Sequence, residues 1–135
     1  MGGNLDFREL FLSGDGRIAR TPFWLGAIVI LVLLLLYESI NSPTLHWVTG
    51  LFIYPLLIYP GVCVLSKRLH DRGRSGWWAA LILFATVAVW PHPSSFFDFL
   101  FMVILIWAVV ELGVMPGEAG ANRYGPNPMR GAAAA

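Results

Sequence analysis

The 135-residue chain holds one cysteine, Cys63, one lysine, Lys67, and only 13% charged residues. A single thiol excludes an intramolecular disulfide and a cysteine-based metal cluster. Its setting inside an apolar run marks it as buried and inert. The shortage of charge excludes more. Soluble domains carry about 25% charged and roughly 45–50% apolar residues, whereas this chain is 57% hydrophobic with a mean hydropathy of +0.67. Too few water-facing side chains remain to coat a globule, so lipid must cover much of the surface. Basic residues are missing altogether between Arg20 and Lys67, and again between Arg74 and Arg123. The net charge of +1 carries no information as a total, and no nucleic-acid partner is expected.

What is present is a series of apolar runs that reads as an all-α integral membrane four-helix bundle in a single domain, residues 1–130, followed by a disordered end at 131–135. The spans fall at about 22–40, 46–66, 76–90 and 96–115. Nineteen helical residues cover about 28 Å, close to the hydrocarbon thickness of a bilayer. Ahead of them, residues 4–12 read as a short amphipathic helix capped by Asn4. Its Phe7, Leu10 and Phe11 make one apolar stripe suited to the membrane interface. Asp6, Glu9 and Asp15 precede the first run, which is too long for a signal-peptide core, so no cleavable signal is expected.

Thr21-Pro22 has the form of an N-cap with proline at the first helical position. The second span carries Pro55 and Pro60, each of which removes a ladder hydrogen bond, and a kink or local break is expected there. Ser75 is placed to cap the third span. Ser95 and Asp98 have the spacing of a capping box for the fourth. The tail from Pro116 to Pro128 is rich in Gly and Pro and reads as irregular.

Four spans put both termini and the central loop on one side, and all nine Lys and Arg residues fall there. Set against six acidic residues, they leave that side at +3, while Glu38 and Asp98 make the other −2. Such segregation predicts that both termini of a multi-pass membrane protein are cytoplasmic.

Three motifs share the basic side: Gly16-Arg17-Ile-Ala-Arg20-Thr-Pro-Phe23-Trp24, Arg68-Leu-His70-Asp71-Arg72-Gly73-Arg74-Ser75-Gly76-Trp77-Trp78, and Asn122-Arg123-Tyr124-Gly125-Pro126-Asn127-Pro128. In this order and relation to the spans, they resemble the domain of unknown function 805 family over roughly residues 7–128. The resemblance implies a small bacterial inner-membrane protein of about four spans and implies no particular chemistry or cofactor.

Eight of the nine basic residues are arginine. Topology needs only positive charge, whereas planar bidentate recognition of phosphate or carboxylate favours the guanidinium. A candidate anion site therefore comprises Arg17, Arg20, Arg68, His70, Asp71, Arg72, Arg74, Ser75, Asn122, Arg123 and Tyr124. Backbone N–H groups of Arg72–Gly76 next to a helix start would add to it. The expected partners are membrane lipids, anionic headgroups above all, or a partner protein or further copies of the chain. The same arginines can instead pair internally with Asp15, Asp71 and Glu111 and lock the termini to the loop.

An alternative reading is a membrane enzyme or small transporter using His70, Asp71 and Glu111. Neighbours on a helix point about 100° apart, so His70 and Asp71 form no dyad with each other. With His46 and His92 on the opposite side, no metal set assembles around His70. No catalytic residue and no metal ligand is assigned.

Overall fold

The computed structural model describes residues 6–40, 42–90 and 93–128. The helices are α1 (Phe7–Leu12), α2 (Arg20–Glu38), α3 (Pro43–Asp71), α4 (Trp78–Val89) and α5 (Phe96–Ala108), and α5 continues into a π-helical segment, Val109–Val114. No strand occurs among the described residues; one isolated bridge pairs Asn122 with Gly125. The Asn4 cap, the Pro91–His92 pair and the 131–135 end lie outside the described residues.

Three helices, α2, α3 and the continuous Phe96–Val114 run, are long and apolar enough to cross a membrane. α4 has 12 residues, about 18 Å of helix against roughly 30 Å of hydrocarbon. The four expected spans thus resolve into three of membrane length and one short apolar helix. α4 ends where Trp90 turns extended, with φ −77° and ψ 139°, because the residue before a proline is driven out of the α region.

Several helix ends differ from expectation. α1 starts at Phe7, and the Asp6 carboxylate accepts from Arg8 N at 3.0 Å and Glu9 N at 3.3 Å. Its apolar stripe divides: Leu10 is buried in the core while Phe7 is exposed. α2 begins at Arg20 with Ala19 as cap, so Pro22 takes the third helical position rather than the first. The first four N–H groups of a helix lack intrahelical acceptors, so proline costs no bond there. α3 starts at Pro43 behind a Ser42 cap and runs unbroken through Pro55 and Pro60 to Asp71. The local break expected at the prolines does not occur: each removes one donor from a 29-residue ladder that its remaining bonds sustain. α4 is capped by Trp77 rather than Ser75. The Ser95–Asp98 capping box forms as its spacing predicts.

The core joins Leu10, Phe23, Val64, Leu69, Ala79, Ile82, Ala108 and Leu112, gathered toward the end where α2 starts and α3 finishes. Gly26 permits close approach there, since a Cβ would lie 3.0 Å from Val64 Cγ2 and 3.5 Å from Leu10 Cδ2. Outward-facing Trp47, Leu51, Phe52 and Leu56 stay exposed, as lipid-facing side chains do.

Candidate functional site

The central motif is half helix and half turn. Lys67–Asp71 complete α3, and Gly73 at φ +77° reverses the chain. Its N–H meets His70 O at 3.0 Å and the Arg74 N–H meets Leu69 O at 2.8 Å, the two bonds of a Schellman cap. Those donors are therefore spent on α3, and Trp77 N is taken by Ser75 Oγ at 3.3 Å. Of the backbone N–H groups expected to cradle an anion at Arg72–Gly76, those of Arg72, Gly73 and Arg74 are spent on ending α3.

Asp71 is the hub. Its Oδ1 receives Arg17 Nε at 3.0 Å, and its Oδ2 receives Arg68 Nη1. All three side chains are almost fully buried. Arg17 also donates to the carbonyls of Glu118, Gly120 and Gly125 at 2.7, 2.8 and 3.1 Å, which draws the tail onto α3. Glu118 N in turn donates to Asp71 O at 2.8 Å.

Five consecutive carbonyls at the end of the π segment each receive a side chain from another helix or its flank. Leu112 O takes Arg68 Nε at 2.5 Å, Gly113 O takes Trp24 Nε1 at 2.9 Å, and Val114 O takes Arg20 Nη1 at 2.8 Å. Met115 O takes Arg68 Nη2 at 2.7 Å and Pro116 O takes Arg72 Nη1 at 2.5 Å. A helix C-terminus exposes unpaired carbonyls and the negative end of its dipole, so cationic donors are the fitting partners. Glu111, on the same π segment, receives Arg72 Nε at 3.1 Å and Arg74 Nε at 3.0 Å on one oxygen. Arg74 also lies over the rings of Trp78 and Trp107, at 5.5 and 5.4 Å.

His70 donates from Nδ1 to Gly16 O at 2.9 Å and stacks on Tyr124. The Asn122 amide donates to His70 O at 2.9 Å and to Glu118 Oε1 at 3.1 Å, while its oxygen accepts from Tyr124 N at 2.9 Å. All three motifs thus meet at one end of the bundle. They meet largely to hold one another: Arg17, Arg68, Asp71, Arg72 and Arg74 are engaged internally, and Ser75 shapes the turn. Asp71 and Glu111 take arginines as expected, whereas Asp15 makes no ion pair among the described residues. Among the described residues, Arg20 bonds Val114 O alone and Arg123 reaches only Tyr124, its hydroxyl at 2.5 Å and its ring at 4.8 Å.

Sequence reasoning missed Glu118 and Gly117, where a Cβ would fall 1.9 Å from Asp71 Oδ2. It also missed a polar cluster at the opposite end. There Tyr54 donates to Glu38 Oε1 at 2.5 Å and meets His46 Nε2 at 3.0 Å. Tyr37 donates to His46 O at 2.8 Å and lies 3.0 Å from Thr49 Oγ1. The signal available was Tyr37-Glu38 followed by His46 and Tyr54 at helical spacing on α3.

Fold and site together define a small helical membrane protein whose arginines fasten an irregular tail onto one end of its bundle. The chain belongs to the DUF805 family of proteins of unknown function, whose pattern matches residues 11–126. It is similar to YiiR of Escherichia coli (strain K12), with 31% identity over 90% of this chain and 89% of that one. It is also similar to the inner membrane proteins YhaH and YhaI of the same organism. YhaH is 27% identical over 87% and 88% of the two chains, and YhaI 26% identical over 90% of each. No solved structure matches.

Proposed function

We propose that this chain is a four-span binding or scaffold protein of the bacterial inner membrane, with both termini cytoplasmic, whose basic face holds anionic lipid headgroups. Segregation of every Lys and Arg to one side supports the orientation. Trp77 and Trp78 at the start of α4 and Trp90 after its end support an interfacial placement of both its ends. The observation that carries the binding role is Arg20. It is exposed at the first residue of α2, spends one N–H on Val114 O, and has no carboxylate partner among the described residues. Arg123 is exposed and likewise unpaired by any acid among them. A guanidinium with unused donors at headgroup depth suits a lipid phosphate. His70, Asp71 and Glu111, the residues of the enzyme or transporter alternative, are each committed to internal partners, so no observation favours that reading.

Native mass spectrometry of the protein released from nanodiscs of mixed phosphatidylglycerol and phosphatidylethanolamine tests the proposal. The wild type should retain phosphatidylglycerol preferentially, and an Arg20→Gln/Arg123→Gln double variant should lose that preference. Equal retention of both lipids by the wild type, or an unchanged preference in the variant, overturns it. Co-purification of a stoichiometric protein without lipid preference would point instead to a scaffold for protein partners.

A further inference from the structure

At the end away from the arginines, a cavity of about 380 Å³ lies between α2, α3 and α4, walled by Leu34, Leu57, Leu83, Val87 and Trp90. It falls within the roughly 300–1,000 Å³ that accommodates small ligands. Part of its room comes from Gly61, around whose missing Cβ nothing lies within 4 Å. Among the described residues its wall carries the polar groups of Glu38, Tyr54, Thr86 and the Trp90 indole, and the Thr86 hydroxyl is already spent on Ile82 O at 2.8 Å.

Glu38 is the unexplained group. Tyr54 donates its one phenolic proton to Glu38 Oε1, so His46 Nε2 must be the donor in its contact with Tyr54. Among the described residues only Tyr54 and His46 reach the carboxylate, His46 at 3.7 Å. No Lys or Arg occurs between Arg20 and Lys67 or between Arg74 and Arg123, and no Lys or Arg among the described residues pairs with Glu38. Arg20 begins α2 and Glu38 ends it, about 27 Å apart along the axis. The carboxylate is three-quarters covered and has no Lys or Arg partner among the described residues, so a cation is its electrostatic complement. The complementary ligand carries a cation on an apolar body, and the Tyr54 and Trp90 rings in the same wall favour a cation further.

We infer that this cavity binds a single-chain cationic amphiphile, its ammonium head against Glu38 and its apolar body between α2, α3 and α4. The site is separate from the basic face, so its fate is independent of the lipid reading above. Equilibrium binding of radiolabelled dodecylamine to the full chain in nanodiscs, with protein-free nanodiscs subtracted, tests it. Saturable binding is expected, with dodecanol and dodecanoate failing to compete. Glu38→Gln keeps the volume and an acceptor for Tyr54, and should weaken binding by roughly tenfold or more. Leu83→Trp should abolish it by filling the space, with far-UV circular dichroism and size exclusion reporting the fold of both variants. Competition by dodecanol as strong as by unlabelled dodecylamine, or unchanged binding in folded Glu38→Gln, overturns the inference.

Discussion

His70 lies flat on Tyr124, the ring centroids 3.8 Å apart and the planes 5° from parallel. Because His70 Nδ1 also meets Gly16 O at 2.9 Å, one side chain of α3 joins the segment before α2 to the tail. The carbonyl can only accept, so Nδ1 carries the proton. The tail is therefore held onto the central motif by a ring face and an amide, and onto the first motif by an arginine.

Removing the ring should loosen the tail without unfolding the bundle. Stacked aromatic pairs contribute about 0.5–1.5 kcal/mol beyond burial. Tyr124→Ala should raise amide exchange across residues 117–125 about three- to tenfold. Tyr124→Phe, which keeps the stack, should raise it far less. Hydrogen exchange read by mass spectrometry checks this, and equal effects of the two variants would contradict it.

Arg68 should be the most sensitive arginine. It is fully buried and joins Asp71 to the carbonyls of Leu112, Met115 and Ile18. Breaking a buried pair by removing one partner costs about 3–5 kcal/mol. Arg68→Gln should therefore lower the unfolding midpoint in micelles severely. Arg8→Gln, on the exposed side of α1, should stay within about ±0.5 kcal/mol.

Two glycines should respond in opposite directions to alanine. At Gly117 a Cβ would lie 1.9 Å from Asp71 Oδ2 and 2.4 Å from Cγ, displacing the carboxylate from its arginines. At Gly61, inside α3, nothing lies within 4 Å. Helix interiors favour alanine over glycine by roughly 0.5–1 kcal/mol. Gly117→Ala should lower the thermal midpoint and Gly61→Ala should leave it unchanged or raise it.

The four-span orientation is tested by sided labelling. In a Cys63→Ala background, Ser75→Cys should react with an impermeant maleimide only from the cytoplasmic side. Thr44→Cys should react only from the other side. Reaction of both from one side would sink the orientation.

Much of the architecture was legible in the chain. Apolar runs and scarce charge pointed to an all-helical membrane protein, and the arginines shared by three distant motifs anticipated their meeting. The capping of α5 by Ser95 was legible too, because a cap depends on residues three apart. The interior of the site was not. Its acceptors are the carbonyls of Leu112 to Pro116, and a backbone carbonyl looks alike in every residue. Whether one is free depends on where a helix ends, here a π segment that no sequence pattern announced. The same holds for the extension of α3 through Asp71, which spent the N–H groups of Arg72, Gly73 and Arg74 on the helix end. Glu38 and Tyr54 are 16 residues apart on two helices, and only the packing of α2 on α3 made them neighbours beside a cavity. Composition and short-range spacing decide which segments form and what solvent they face. Which donor meets which acceptor across 40 to 100 residues is decided by tertiary packing.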